Sequence, residues 1–141
     1  MTRLQLLFPM LAMVLLTFGV AVVLFRARKR SVREGHTPVS YFRTFQGSQE
    51  PEFLAKPTRH FSNLFEQPTL FYAGCLAALV AGVTDAGAVT LAWVYVATRL
   101  AHTWVHLRGN RLRHRVPIYF ASWLALLALW IYVCIAAALR G

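Results

Sequence analysis

The chain has 141 residues, 57% of them hydrophobic and 14% charged, against roughly 45–50% and about 25% in soluble domains, which excludes an ordinary soluble domain and points to a membrane protein. Its apolar residues run continuously instead of alternating with polar ones, so a closed β-barrel is excluded as well. A formal net charge of +10 would imply nucleic acid in a soluble chain, but here the basic residues gather at the ends of apolar blocks, and no nucleic-acid partner is expected.

Four apolar blocks, at about 4–25, 61–84, 86–107 and 117–139, each reach the roughly 20 residues that a helix needs to cross a hydrocarbon core of about 30 Å. The expected fold class is all-α and integral to the membrane, a single domain over 1–141 built as a bundle of four transmembrane helices. The first block is longer than the roughly 7–15-residue apolar region of a secretion signal and lacks a clear small-residue cleavage site, so it reads as a retained span. After it, "RARKRSVREGHTPVSYFRTFQGSQEPEFLAKPTRH" (26–60) mixes charge, Gly and Pro. An irregular connection lying partly against the bilayer is expected there, with Tyr41, Phe42, Phe45 and Phe53 folding it back onto the bundle. In "RARKR", snorkelling at a helix end is the first reading and attraction to anionic membrane lipid the second.

Pro57 followed by Thr58 reads as the start signal of the second helix. Pro68 is expected to kink that helix, which membrane helices tolerate where neighbours satisfy the freed carbonyl. Gly74, Ala78 and Gly82 recur every four residues and allow close helix approach, within the bundle or between subunits. The turn "VTDAGA" is short enough to make the second and third spans antiparallel neighbours. Cys75 and Cys134 sit among Ala, Leu and Val with no CxxC pair, so both read as packing residues.

Basic residues give an orientation. Eight Lys and Arg lie between Arg26 and Arg59 and four between Arg108 and Arg115, while the turn at Asp85 has none and each terminus one, Arg3 and Arg140. By the positive-inside rule, connections 26–60 and 107–116 are cytoplasmic and both termini lie outside. The small size of the chain, and not its charge, makes a bacterial inner membrane the expected location.

The stretch "TRLAHTWVHLRGNRLRHR" (98–115) puts polar groups inside an apolar span. At about 100° per residue, Arg99, His102, His106, Asn110 and Arg113 fall within roughly an 80° arc. Arg99 then lies near mid-membrane, where an unpaired arginine costs at least about 2.5–3.5 kcal/mol and marks a candidate functional site. Its expected partner is Glu66, which shares a stripe with Arg59 and Asn63 on the neighbouring helix. An Arg99–Glu66 pair alone would serve only to fix helix register. The excess of donors around one carboxylate (Arg59, Arg99, Arg113, two Asn and two His) points instead to an anionic guest. His60 with His102 or His106 could clamp a haem, but zinc would want further ligands and the arginines repel a cation, so no metal is expected.

At these residues the chain resembles the MAPEG family, the membrane-associated proteins of eicosanoid and glutathione metabolism. The family carries Arg-x-x-x-Asn-x-x-Glu followed closely by Pro near the start of its second helix, and "RHFSNLFEQP" supplies Arg59, Asn63, Glu66 and Pro68. On the third helix its glutathione-using members show Arg, Tyr, Tyr and Arg at intervals of three, four and seven, where this chain has Arg99, His102, His106 and Arg113. The resemblance implies a four-helix protomer, a homotrimer, and glutathione held as co-substrate in a U shape between subunits at the cytoplasmic side. It implies glutathione-binding positions at Arg59, Asn63, Glu66 and Arg99, with His102 and His106 standing where the family's tyrosines do. It implies, too, that Arg113 stabilises the thiolate.

The sequence departs from the pattern in its two histidines and in a proline one residue late, which leaves Arg111, Arg113 and Arg115 competing for that last role. A guanidinium beside a thiol of ordinary pKa about 8.5 favours the charged form. The expected function is therefore glutathione transferase or peroxidase chemistry on a lipophilic small-molecule substrate, with Trp104, Tyr119 and Trp123 as apolar walls. The alternative is a non-enzymatic membrane subunit or binding protein of the same fold, with haem or metal binding as a third class.

Overall fold

Straight-chain Arg and Lys are good helix formers, and cations favour a helix C-terminus, so the first helix does not stop where its apolar residues do. In the computed structural model, which describes residues 3–47, 50–108 and 112–140, a 3₁₀ turn Arg3–Leu6 leads into α1, Leu7–Arg33. Helix α1 thus absorbs the "RARKR" run and ends at Gly35, whose φ of +73° suits a residue without Cβ. The Ser31 and Thr37 hydroxyls meet at 2.6 Å in a buried contact, and the His36 N–H donates to the Ser31 carbonyl. One turn, α2 (Tyr41–Thr44), follows, and then α3, Glu52–Asn63. The expected irregular connection is therefore largely helical.

Helix α3 starts before the expected signal. Pro51 is its N-cap in extended geometry, with Glu52 in the first turn, and Pro57 lies inside the helix and is buried. The second apolar block is also broken more sharply than a kink. Helix α3 ends at Asn63, Glu66 takes the non-helical pair φ −88°, ψ −83°, and α4 runs Gln67–Val80. Pro68 stands in the first turn of α4, where a missing N–H costs nothing. Its 14 residues span only about 21 Å.

Helix α5 (Ala86–Arg108) and helix α6 (Leu112–Ala138) pack along each other more extensively than any other pair. Helix α1 lies on α3 and α5, and α4 lies chiefly against α6. The buried apolar core joins Met13 and Val20 of α1, Phe71 and Cys75 of α4, Tyr95 and Val96 of α5, and Leu126, Leu129 and Val133 of α6. Phe71 and Tyr95 stack with ring centroids 4.4 Å apart. The described residues contain no strand. Among the described residues, two stretches are helical, long and apolar enough to cross a membrane, Leu4–Arg33 and Arg115–Ala138.

Small residues admit α6 within the protomer. Gly74 lies beside the Trp130 indole, which donates to the Leu70 carbonyl at 3.2 Å, and a Cβ at Gly87 would collide with the Tyr132 ring. Gly82 is not part of the small-residue helix face; it sits past the end of α4 with φ +70°. Asp85 then gathers the turn. It accepts the Ala88 N–H at 3.2 Å, the Tyr132 hydroxyl at 2.6 Å and Arg140 at 2.6 Å, while Arg140 also donates to the Gly82 carbonyl. The Tyr132 hydrogen bond leads the interactions that hold the Asp85 carboxyl below the usual aspartate range. Neither cysteine is in a disulfide; Cys75 is buried and Cys134 exposed.

Candidate functional site

The polar face of α5 is buried where α3, α4 and α6 meet it. Arg99, His102 and His106, one stripe by helical spacing, are 0%, 2% and 3% exposed. Arg99 is the largest fully buried side chain among the described residues. It does not pair with Glu66: the break before α4 leaves Glu66 exposed and turns Gln67 inward, 1% exposed. The Arg99 Nη1 donates to Gln67 Oε1 at a long 3.4 Å, and the same oxygen accepts the Ser122 hydroxyl at 2.9 Å. Nε and Nη2 of Arg99 are buried with no hydrogen-bond partner among the described residues.

One turn further along α5, the Thr103 hydroxyl donates to the Arg99 carbonyl at 2.8 Å and meets His60 Nε2 of α3 at 2.9 Å. His60 stacks on His106 with centroids 4.9 Å apart and lies 5.5 Å from His102, which faces Tyr119 of α6 at 5.7 Å. The third side of the triangle, His102 to His106, is 5.7 Å between centroids. Among the described residues, no group of three or more His, Cys, Asp or Glu is placed to hold a metal ion.

Beside this cluster opens a pocket of about 230 Å³ lined by Asn63, His102, Arg115, Val116, Tyr119 and Phe120. Of the residues singled out in the sequence, the structure brings Arg99, His102 and His106 together in the interior, and Asn63 and His102 together at the pocket wall. Arg59, Glu66 and Arg113 are exposed. Of the three competing arginines, Arg115 lines the pocket, half-buried. Asn110 and Arg111 lie outside the described residues.

Gln67, Thr103 and Ser122 are the polar groups that sequence reasoning passed over. Ser122 stands between Ala121 and Trp123, a lone hydroxyl in apolar sequence that was the available signal, whereas Gln67 beside Glu66 and Thr103 beside His102 offered none. Spacing alone did not reveal that Gln67, and not its neighbour Glu66, would turn inward.

Comparison with curated proteins and with solved structures finds no match. The model of the MAPEG family matches residues 6–135, which takes in the whole of α1 to α5 and nearly all of α6. With a buried arginine–histidine face on α5, two helices among the described residues apolar enough to cross a bilayer, and almost its whole length matched, this chain is a membrane protein of the MAPEG family.

Proposed function

We propose that the protein binds glutathione, or a related anionic thiol, as co-substrate at the cytoplasmic end of a four-span protomer, and uses it on lipophilic electrophiles that arrive through the bilayer. The supporting observation is Arg99. A guanidinium fully buried with no carboxylate against it, and with two unpartnered nitrogens, is costly unless an anion comes to it. The ligand enters the pocket at Asn63, His102 and Arg115, and reaches Arg99 when Gln67 moves off Ser122. In a homotrimer the exposed Arg59, Glu66 and Arg113 face a ligand held between subunits. Connections 26–60 and 107–116 lie on the cytoplasmic face of a bacterial inner membrane, with both termini outside.

In this reading Arg115 takes the role that the family resemblance implies for Arg113, because it is the arginine on the pocket wall. Its positive charge favours the thiolate, and the thiol proton passes to solvent. In conjugation the sulfur lone pair forms the new S–C bond as the leaving group departs with its electron pair. In peroxide reduction the thiolate attacks a peroxide oxygen, and an S–O bond forms as the O–O bond breaks. The expelled alkoxide takes a proton from solvent, and a second glutathione thiol displaces water from the sulfenic acid to give the disulfide.

Thermal unfolding in detergent tests the binding. Millimolar glutathione is expected to raise Tm by several degrees, and the rise is expected to vanish in Arg99→Ala. No shift in the parent protein would favour a second reading, a non-enzymatic membrane subunit. The observation behind that alternative is the complete enclosure of Arg99 by the protomer itself.

A further inference from the structure

The cationic end of α1 is not used by the site above. Arg26, Arg28, Lys29, Arg30 and Arg33 occupy its last two turns, where the helix leaves its apolar stretch. Two acidic residues stand near. Glu34 is taken by Arg30 at 2.9 Å and by His36 at 3.4 Å, and Glu50 faces the Tyr41 hydroxyl. Among the described residues, Arg28, Lys29 and Arg33 make no ion pair.

The hydrocarbon stems of Arg28, Lys29 and Arg33 line, together with Phe25, Val32 and Phe42, a shallow surface groove of about 430 Å³ whose walls are wholly apolar, so the charged heads lie beyond its edge. The groove is built by the chain's return. The Ser31–Thr37 contact fixes the turn after α1, and α2 brings Phe42 and Phe45 under the Arg28 guanidinium, 5.5 and 5.6 Å from the ring centroids. Arg28 is thereby in cation–π contact with both rings. Its Nε is buried and has no hydrogen-bond partner among the described residues.

We propose that this groove binds one anionic glycerophospholipid, its phosphate held by Arg28, Lys29 and Arg33 and an acyl chain laid along Phe25, Val32 and Phe42. Snorkelling accounts for cations at a helix end, but it does not account for an aromatic floor beneath them or for a guanidinium pinned against two rings. A phosphate diester suits three cations that no carboxylate holds in an ion pair among the described residues. The groove lies at the end of a stretch that can span a bilayer, the level of lipid head groups. Phe25, 68% exposed, points the site toward acyl chains and away from a free anion in solution.

The test uses the full-length protein in detergent micelles doped with phosphatidylglycerol or phosphatidylcholine, with lipid retention read by native mass spectrometry and stability by thermal unfolding. Phosphatidylglycerol is expected to be retained at least fivefold better than phosphatidylcholine and to raise Tm. Arg28→Gln and Phe42→Ala are each expected to lose most of that preference, and Arg26→Gln, next to the groove but outside it, to keep it. Lys29→Gln, an exposed change that leaves the α1–α2 packing alone, is expected to weaken retention severalfold even where Phe42→Ala fails to fold. Equal losses in Arg26→Gln and Arg28→Gln, or full retention in folded Phe42→Ala, would reduce the effect to unspecific charge attraction and overturn the proposal. Inorganic phosphate that matches the lipid's stabilisation would overturn the lipid assignment as well.

Discussion

His60 of α3 and Thr103 of α5 share a buried hydrogen bond of 2.9 Å, and the hydroxyl's single proton is already given to the Arg99 carbonyl at 2.8 Å. The donor between the two must therefore be His60 Nε2–H, which fixes the tautomer of a histidine inside the cluster. Thr103→Val keeps the shape and removes the acceptor. It is expected to cost about 1–3 kcal/mol, the penalty for stranding a buried donor, seen as a fall in Tm in detergent. A double-mutant cycle with His60→Ala is expected to show coupling of at least about 0.5 kcal/mol; additive losses would mean that the contact carries no energy.

Gln67 stands where a carboxylate would neutralise Arg99. Gln67→Glu is expected to raise Tm, because it turns a long neutral contact of 3.4 Å into a charge-assisted one worth about 1.5–3 kcal/mol. It should also abolish the glutathione-dependent shift by occupying the guanidinium. Gln67→Leu strands Arg99 and is expected to lower stability. A glutathione response that survives in Gln67→Glu would remove Arg99 from the binding scheme.

The two candidate arginines on α6 separate by activity. Arg115→Ala is expected to reduce the thiolate ultraviolet signal of bound glutathione at neutral pH at least tenfold. Arg113→Ala, an exposed position, should change it by less than a factor of two. The reverse order would return the role to Arg113.

At the other end of the bundle, Gly87 is expected to tolerate no side chain. Gly87→Ala drives a Cβ into the Tyr132 ring and is expected to cost about 1–3 kcal/mol through overpacking. Adding Tyr132→Ala should recover part of the loss, and a worse loss in the double variant would locate the strain elsewhere.

Asp85 gives the same end a pH dependence. Its folded pKa is depressed, first by the Tyr132 hydrogen bond, so the unfolded chain takes up a proton before the folded one does. The stabilisation is thus fully present above the ordinary aspartate value of about 3.9. It is lost as pH falls from there through the lower folded value. Tm measured from neutral pH down to about pH 3 should fall less steeply in Asp85→Asn than in the parent. Parallel curves would show that Asp85 contributes nothing to acid sensitivity.

Which side chains could form one buried polar face was legible from spacing, because helical periodicity is local: Arg99, His102 and His106 follow at three and four residues, and a continuous apolar context leaves them no other way to stand. The same locality explains the misreadings. Pro57 and Pro68 looked like a start and a kink. Pro51 capped α3 first, and the non-helical Glu66 allowed α4 to restart with Pro68 in its first turn. Cations after an apolar block looked like the beginning of a loop, but they prolonged α1 because nothing in "RARKRSVR" breaks a helix before Gly35.

The sequence by itself determined the all-helical class, the membrane character and the family, since these rest on composition, on apolar runs and on residues at fixed intervals along one chain. Only the tertiary structure decided that Gln67 and not Glu66 meets Arg99, that Arg115 stands at the pocket, and that Gly74 and Gly87 receive Trp130 and Tyr132. Those outcomes depend on the angle at which one helix leaves the last and on which residue of another lies opposite. Such relations join residues dozens of positions apart, and no local pattern encodes them.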